Sequence, residues 1–120
     1  MKHSDEFLAL AEAARAKVNE ISLEQAEERV KQGAVFVDVR EDSEWQEGHA
    51  KGAIHLARGI IERDIIQAFP KKDTEFVLYC GGGYRSILTA ESIQKMGYTN
   101  VHSMIGGWRS WVDAKKPIEE

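Results

Sequence analysis

Two rhythms of apolar residues alternate along the chain. Ala34-Val35-Phe36-Val37-Asp38-Val39 and Phe76-Val77-Leu78-Tyr79 are nearly unbroken apolar runs, the pattern of strands buried on both faces. Ala53-Ile54-His55-Leu56 and the stretch from Val101 to Met104 are further strand candidates, and Ile21 begins or belongs to a short one. Between these runs the apolar residues recur three and four apart, the helical spacing. Phe7, Leu8, Ala11, Ala14 and Val18 predict an amphipathic helix over 4–18. Asp5 and Glu6 stand in its first turn and Arg15 and Lys17 in its last, which matches the helix dipole. Ser22 followed by Gln25 is a capping-box pattern opening a helix that runs to Gln32 and stops at Gly33. Asp42 is expected to cap a short helix holding Glu44 and Trp45, ending at Gly48. Ile61, Ile65 and Phe69 share one face of a helix over 59–69, which Pro70 closes. Ile87, Ala90 and Ile93 do the same for a helix from Ser86 to Met96, and Trp108, Trp111 and Val112 for a last one.

Strands alternating with helices predict an α/β fold. The expected architecture is a parallel central sheet of about five strands with helices on both faces, plus an extra N-terminal helix. Residues 1–19 form that helical extension, read as packing on its own domain, with a dimer-forming or partner-binding arm as the alternative. Monomer and homodimer therefore both stay open. The 120 residues suit one domain whose core needs no covalent staple.

Composition narrows the function classes. A single cysteine excludes an internal disulfide, and with four scattered histidines it argues against a structural zinc site. A net charge of −4 disfavours nucleic acid, whose phosphates need a basic face. A small anionic substrate remains compatible, because local arginines override the global sign. Neither a secretory apolar segment nor a membrane-length one stands out. A free thiol then suits a reducing cytosol, so a cytoplasmic location is expected.

The chemistry concentrates at that cysteine. The strand of 76–79 hands over to a helix through Cys80-Gly81-Gly82-Gly83-Tyr84-Arg85-Ser86. Glycines let backbone N–H groups turn inward where β-carbons would obstruct. A helix start adds about 0.3–1 kcal/mol for an anion, and Arg85 adds a positive charge. Such a loop cups an anion and favours the thiolate form of Cys80, the form that acts as nucleophile. A buried structural thiol would not explain the glycines, the arginine and the helix start together.

The loop matches Cys-x-x-Gly-x-Arg-Ser, and it has company. Asp38-Val39-Arg40-Glu41, Glu44-Trp45 and Gly48-His49-Ala50-Lys51-Gly52-Ala53 resemble the upstream rhodanese signature, and Gly106-Gly107-Trp108 with Trp111 resembles its C-terminal box. The chain is thereby identified as similar to single-domain rhodanese-like sulfurtransferases, with residues 20–116 as the rhodanese-like domain. The resemblance implies that Cys80 takes a sulfane sulfur from a small anionic donor such as thiosulfate. It then carries the sulfur as a persulfide and passes it to cyanide or a cellular thiol. Thioredoxin or another sulfur-accepting protein is an implied partner, and no cofactor or metal is implied. Cys80 and Arg85 are the catalytic candidates, with Gly81, Gly82, Gly83, Tyr84 and Ser86 forming the binding loop. Asp38 and Arg40 are expected to support the loop, either as an architectural salt bridge or in contact with substrate. Arg58 and Glu62 line the pocket mouth or form a solvated helix face. His49 is expected to be structural rather than a general base.

Two positions depart from relatives. Ala57 stands where many carry proline, and Glu44 falls about where two-domain thiosulfate-using members carry arginine, which argues against thiosulfate as donor. Rhodanese-fold phosphatases and arsenate reductases place five residues between cysteine and arginine, whereas four stand here. The shorter loop fits one sulfur atom better than an oxyanion. A persulfide carrier and a non-catalytic binding module are the other readings. The module commonly lacks the cysteine that this chain keeps.

Overall fold

The structure, a computed structural model, describes residues 3–120. Its centre is one sheet of five parallel strands in the order β1-β6-β5-β2-β4. These are β1 (Asn19–Ile21), β2 (Val35–Asp38), β4 (Ile54–His55), β5 (Phe76–Tyr79) and β6 (Val101–Met104). Pairing sets Val37 beside Leu78 and Ile54, and Leu78 beside Ser103. β5 thus lies in the middle and its C-terminal end in the middle of one sheet edge.

Because strand side chains alternate between faces, the two apolar runs divide into two cores. Val37, Val39, Phe76 and Leu78 pack against Ile61 and Ile65 of α4 (Ile61–Ala68) and Ala90 and Ile93 of α5 (Tyr84–Lys95). Phe36, Val77, Tyr79 and Met104 face the other way, onto α2 (Leu23–Lys31) and Trp111 of α6 (Gly107–Asp113). The N-terminal helix, α1 (Asp5–Arg15), adds a third small cluster. Ala14 buries against Ile87 and Leu88, with Phe7 and Val18 at its margin. Within the extension, α1 is therefore laid on α5 of the same chain.

Local chemistry sets the element ends. Ser4 Oγ accepts the Phe7 N–H at 3.1 Å to start α1. The Ser22 hydroxyl and the Gln25 amide form the expected reciprocal cap of α2. The short α3 (Asp42–Glu47) departs from expectation, since Glu41 precedes it as N-cap and Asp42 lies inside its first turn. The Glu44 carboxylate accepts the Glu41 N–H at 3.0 Å. α5 begins at Tyr84, two residues earlier than the apolar spacing indicates, because Gly83 takes a left-handed conformation (φ 106°) that turns the chain straight into the helix. β3 (His49–Ala50) and β7 (Ile118–Glu119) form a separate antiparallel ribbon. Strands of two residues leave no alternation to read. No helix among the described residues is long and apolar enough to cross a membrane.

Candidate active site

Parallel strands gather the loops that follow them at one sheet edge, where ligands of open α/β folds bind. Here that edge brings together the ends of β2, β5 and β6. Cys80 follows the central strand and is 1 % exposed, with its sulfur at the floor of a cleft of about 1040 Å³. Sγ accepts the Gly83 N–H at 3.1 Å. As a thiol it donates to Ser86 Oγ at 3.5 Å, and Ser86 Oγ lies 2.8 Å from Ser103 Oγ. The expected ring of N–H donors is represented at the sulfur by Gly83, with a buried hydroxyl pair behind it.

The loop is held from below by α6. The N–H groups of Trp108 and Arg109 donate to the carbonyls of Cys80 and Gly81 at 2.7 and 3.1 Å. Gly107 makes this approach feasible. A β-carbon there would stand 2.2 Å from the Cys80 carbonyl oxygen, and its φ of 50° is also left-handed.

Arg85 is paired with a carboxylate. Its guanidinium forms a two-pronged ion pair with Glu44 of α3, at 2.7 and 3.0 Å. It lies close over Gly81, where a β-carbon would come within 2.9 Å of Nη2. The hydrogen bonds from Arg85 hold the Glu44 carboxyl below its usual range despite partial burial, and the same bonds raise Arg85. A depressed carboxylate contributes stability that is fully present above its unfolded value. That contribution fades as pH falls through the lowered one. The pair is partly exposed, with about a third of the Glu44 side chain in solvent, so screening keeps its contribution small. Its main effect is on the charge the cleft presents.

Asp38 and Arg40 are brought together, but not into the cleft. Arg40 Nε and Nη2 donate to the Asp38 carboxylate at 2.8–3.1 Å, and Nη2 also donates to the Gly48 carbonyl at 2.7 Å. Burial opposes the Arg40 charge, yet the Asp38 hydrogen bonds and charge raise its pKa on balance. The guanidinium lies 4.6 Å from the Trp108 ring centroid, a cation–π contact. The pair is thus an architectural strut tying β2, the end of α3 and α6 beneath the loop. His49 is structural in the same way. Its ring stacks on Trp45 at 3.4 Å and Nδ1 donates to the Trp45 carbonyl. His55 stacks 4.8 Å from the same indole, so the helix that carries Glu44 is clamped by aromatic contact.

Arg58 lines the cleft. Glu62 does not: it sits exposed on α4 and accepts a hydrogen bond from Ser92 at 2.6 Å. Of the two readings offered for it, the solvated helix face is the one the structure gives. Sequence reasoning missed Ser103, Arg109 and the Glu44–Arg85 pair, and it did not foresee that His3 and Phe7 line the cleft.

Comparison with known proteins bears on this geometry. The rhodanese-like domain model matches residues 22–114, including the whole Cys80 loop, its strut and the α6 support. The chain belongs to the rhodanese-like domain family. It is 36% identical over 101 residues to thiosulfate sulfurtransferase GlpE of Haemophilus influenzae, spanning 83% of this chain and 93% of that protein. A Rhodopseudomonas palustris CGA009 structure, described as a protein of unknown function and possible tyrosine phosphatase, superposes with a TM-score of 0.86. It is 31% identical and covers 99% of this chain and 98% of its own. Thiosulfate sulfurtransferase from Pseudomonas aeruginosa shares the fold with a TM-score of 0.83 at 22% identity, over 95% of this chain and 23% of that one. At family level the chain is a rhodanese-type sulfurtransferase homologue. α1 precedes the stretch matched by the family model.

Proposed function

We propose that the protein moves a sulfane sulfur from a donor to a thiophilic acceptor through a persulfide on Cys80. The observation that carries this reading is the placement of Sγ at the floor of the cleft with the Gly83 N–H at 3.1 Å. The thiolate attacks the outer sulfur of the donor, a new S–S bond forms to Cys80, and the donor's S–S bond breaks with its electron pair on the leaving group. With thiosulfate that group is sulfite. The persulfide carries its negative charge on the outer sulfur, in a loop where the Gly83 N–H already stands as a donor that needs no reorganisation. An acceptor thiolate or cyanide then attacks the outer sulfur and restores the Cys80 thiolate. A covalent relay of this kind splits one difficult transfer into two easier steps. Thioredoxin or another protein thiol in a reducing cytosol suits the acceptor role.

The description of the R. palustris relative favours a second reading, phosphate ester hydrolysis. Two features speak for sulfur instead. The loop leaves four residues between Cys80 and Arg85, and Arg85 is engaged with Glu44 rather than free for phosphate oxygens. Steady-state kinetics with thiosulfate and cyanide are expected to be ping-pong, with thiocyanate formed and an aryl phosphate left intact. Aryl phosphate turnover that disappears in Cys80→Ser would overturn the proposal.

Glu44 gives this reading a specific handle. Glu44→Gln keeps an amide oxygen for Arg85 but removes a negative charge facing the donor. The thiosulfate KM is expected to fall about threefold to tenfold, the effect of roughly 1 kcal/mol of relieved repulsion near a surface. An unchanged or higher KM would show that Glu44 does not oppose the dianion.

A further inference from the structure

The cleft above Cys80 is larger and less cationic than a small inorganic dianion requires. Its volume of about 1040 Å³ is that of sites holding organic ligands. Arg58, Arg85 and Arg109 line it against Glu44 and Asp113, and Arg85 is already neutralised by Glu44 at 2.7 Å. The remaining positive charge matches one negative charge better than two. One wall is aromatic. His3 and Phe7 line the cleft from the N-terminal extension and Tyr84 lines it from the loop. Their ring centroids stand 4.8 Å (His3–Phe7), 5.1 Å (His3–Tyr84) and 6.2 Å (Phe7–Tyr84) apart. Both ring–ring contacts of Tyr84 are edge-on, an arrangement that aromatic rings prefer, and the Arg15 guanidinium lies 6.0 Å from its centroid.

We infer that the N-terminal extension builds an aromatic subsite selecting a monoanionic organic sulfane-sulfur donor with a ring-sized apolar body. The inference rests on the Cys80 relay proposed above. An aryl thiosulfonate is the simplest member of the class. The Cys80 thiolate attacks its outer sulfur, the S–S bond to Cys80 forms, and the S–S bond of the donor breaks with its electron pair leaving on an aryl sulfinate. Charge is conserved, and no proton, oxidant or reductant is consumed. The leaving sulfinate meets Arg58 and Arg109, which form no ion pair among the described residues, while the ring lies on the wall of His3, Phe7 and Tyr84.

Two donors with the same reacting head, benzenethiosulfonate and methanethiosulfonate, test the subsite with cyanide as acceptor. After correction for their relative rates with a small free thiol, the intact protein is expected to favour the aryl donor in kcat/KM by about tenfold. The double variant His3→Ala, Phe7→Leu keeps an apolar side chain against α5 and is expected to bring the ratio close to one. His3→Ala alone changes an exposed residue ahead of α1 and should lower the ratio part of the way, whatever happens to the fold of the double variant. A ratio near one in the intact protein, or one retained in the variants, overturns the subsite. If thiosulfate charges Cys80 while neither thiosulfonate does, the subsite fails and the relay stands. If no donor of any kind charges Cys80, the relay itself fails.

Discussion

Cys80→Ser is expected to reduce sulfur transfer by more than about a thousandfold, as removal of a covalent nucleophile does, while the protein stays folded. The loss follows from chemistry rather than shape, because a serine oxygen at this position cannot carry sulfur as a persulfide. Stability should change by only about 1 kcal/mol or less. The new hydroxyl finds partners ready, since the Gly83 N–H stands 3.1 Å from the present sulfur and Ser86 Oγ stands 3.5 Å away. Thiocyanate formation and a melting curve measured on the same preparation check both halves. Residual turnover within tenfold of the parent would move the reacting group away from Cys80.

Gly107→Ala is expected to damage both stability and activity, although Gly107 is not among the residues that line the cleft. Its β-carbon would lie 2.2 Å from the Cys80 carbonyl oxygen and 3.1 Å from the Gly81 carbonyl carbon. No rotamer relieves a clash with backbone, so α6 or the Cys80 loop must shift. Either shift breaks the hydrogen bond from Trp108 N–H to the Cys80 carbonyl, now 2.7 Å. Overpacking, left-handed strain and the lost bond together amount to about 2–4 kcal/mol. That corresponds to a drop in Tm on the order of 10 °C for a domain of this size. Gly33→Ala is the contrast. Gly33 also has a left-handed φ of 110°, but no atom lies within 4 Å of its would-be β-carbon. It should lose only about 1 kcal/mol through strain and keep its sulfur transfer. Equal behaviour of the two variants would show that backbone strain, and not support of Cys80, governs position 107.

These expectations show where the chain could be read in advance. The runs at 34–39 and 76–79 declared buried strands because both faces of the sheet are covered, so no polar alternation interrupts them. Cys80, its glycines and the helix start were legible because they are contiguous. Asp38 and Arg40 were legible as a pair for the same reason, being two residues apart. Sequence spacing is silent on contacts made across the fold. Glu44 and Arg85 are 41 residues apart, and nothing local to either announces a shared ion pair. Glu62 stayed open between two readings because it follows a site-facing strand, and its position on α4 turns it toward Ser92. The amphipathic pattern of α1 showed that the helix packs, but not that packing on α5 would set Phe7 and its neighbour His3 beside Tyr84. The β3–β7 ribbon escaped because its strands are two residues long and are joined only in space.

In the proposed relay a sulfur atom rests on Cys80 between donor and acceptor. Intact-protein mass spectrometry after incubation with thiosulfate or an organic sulfane donor tests it most directly. A gain of one sulfur atom is expected, located to the peptide containing Cys80, discharged by cyanide and absent from Cys80→Ser. A correctly folded protein that gains no sulfur from any of these donors would contradict it.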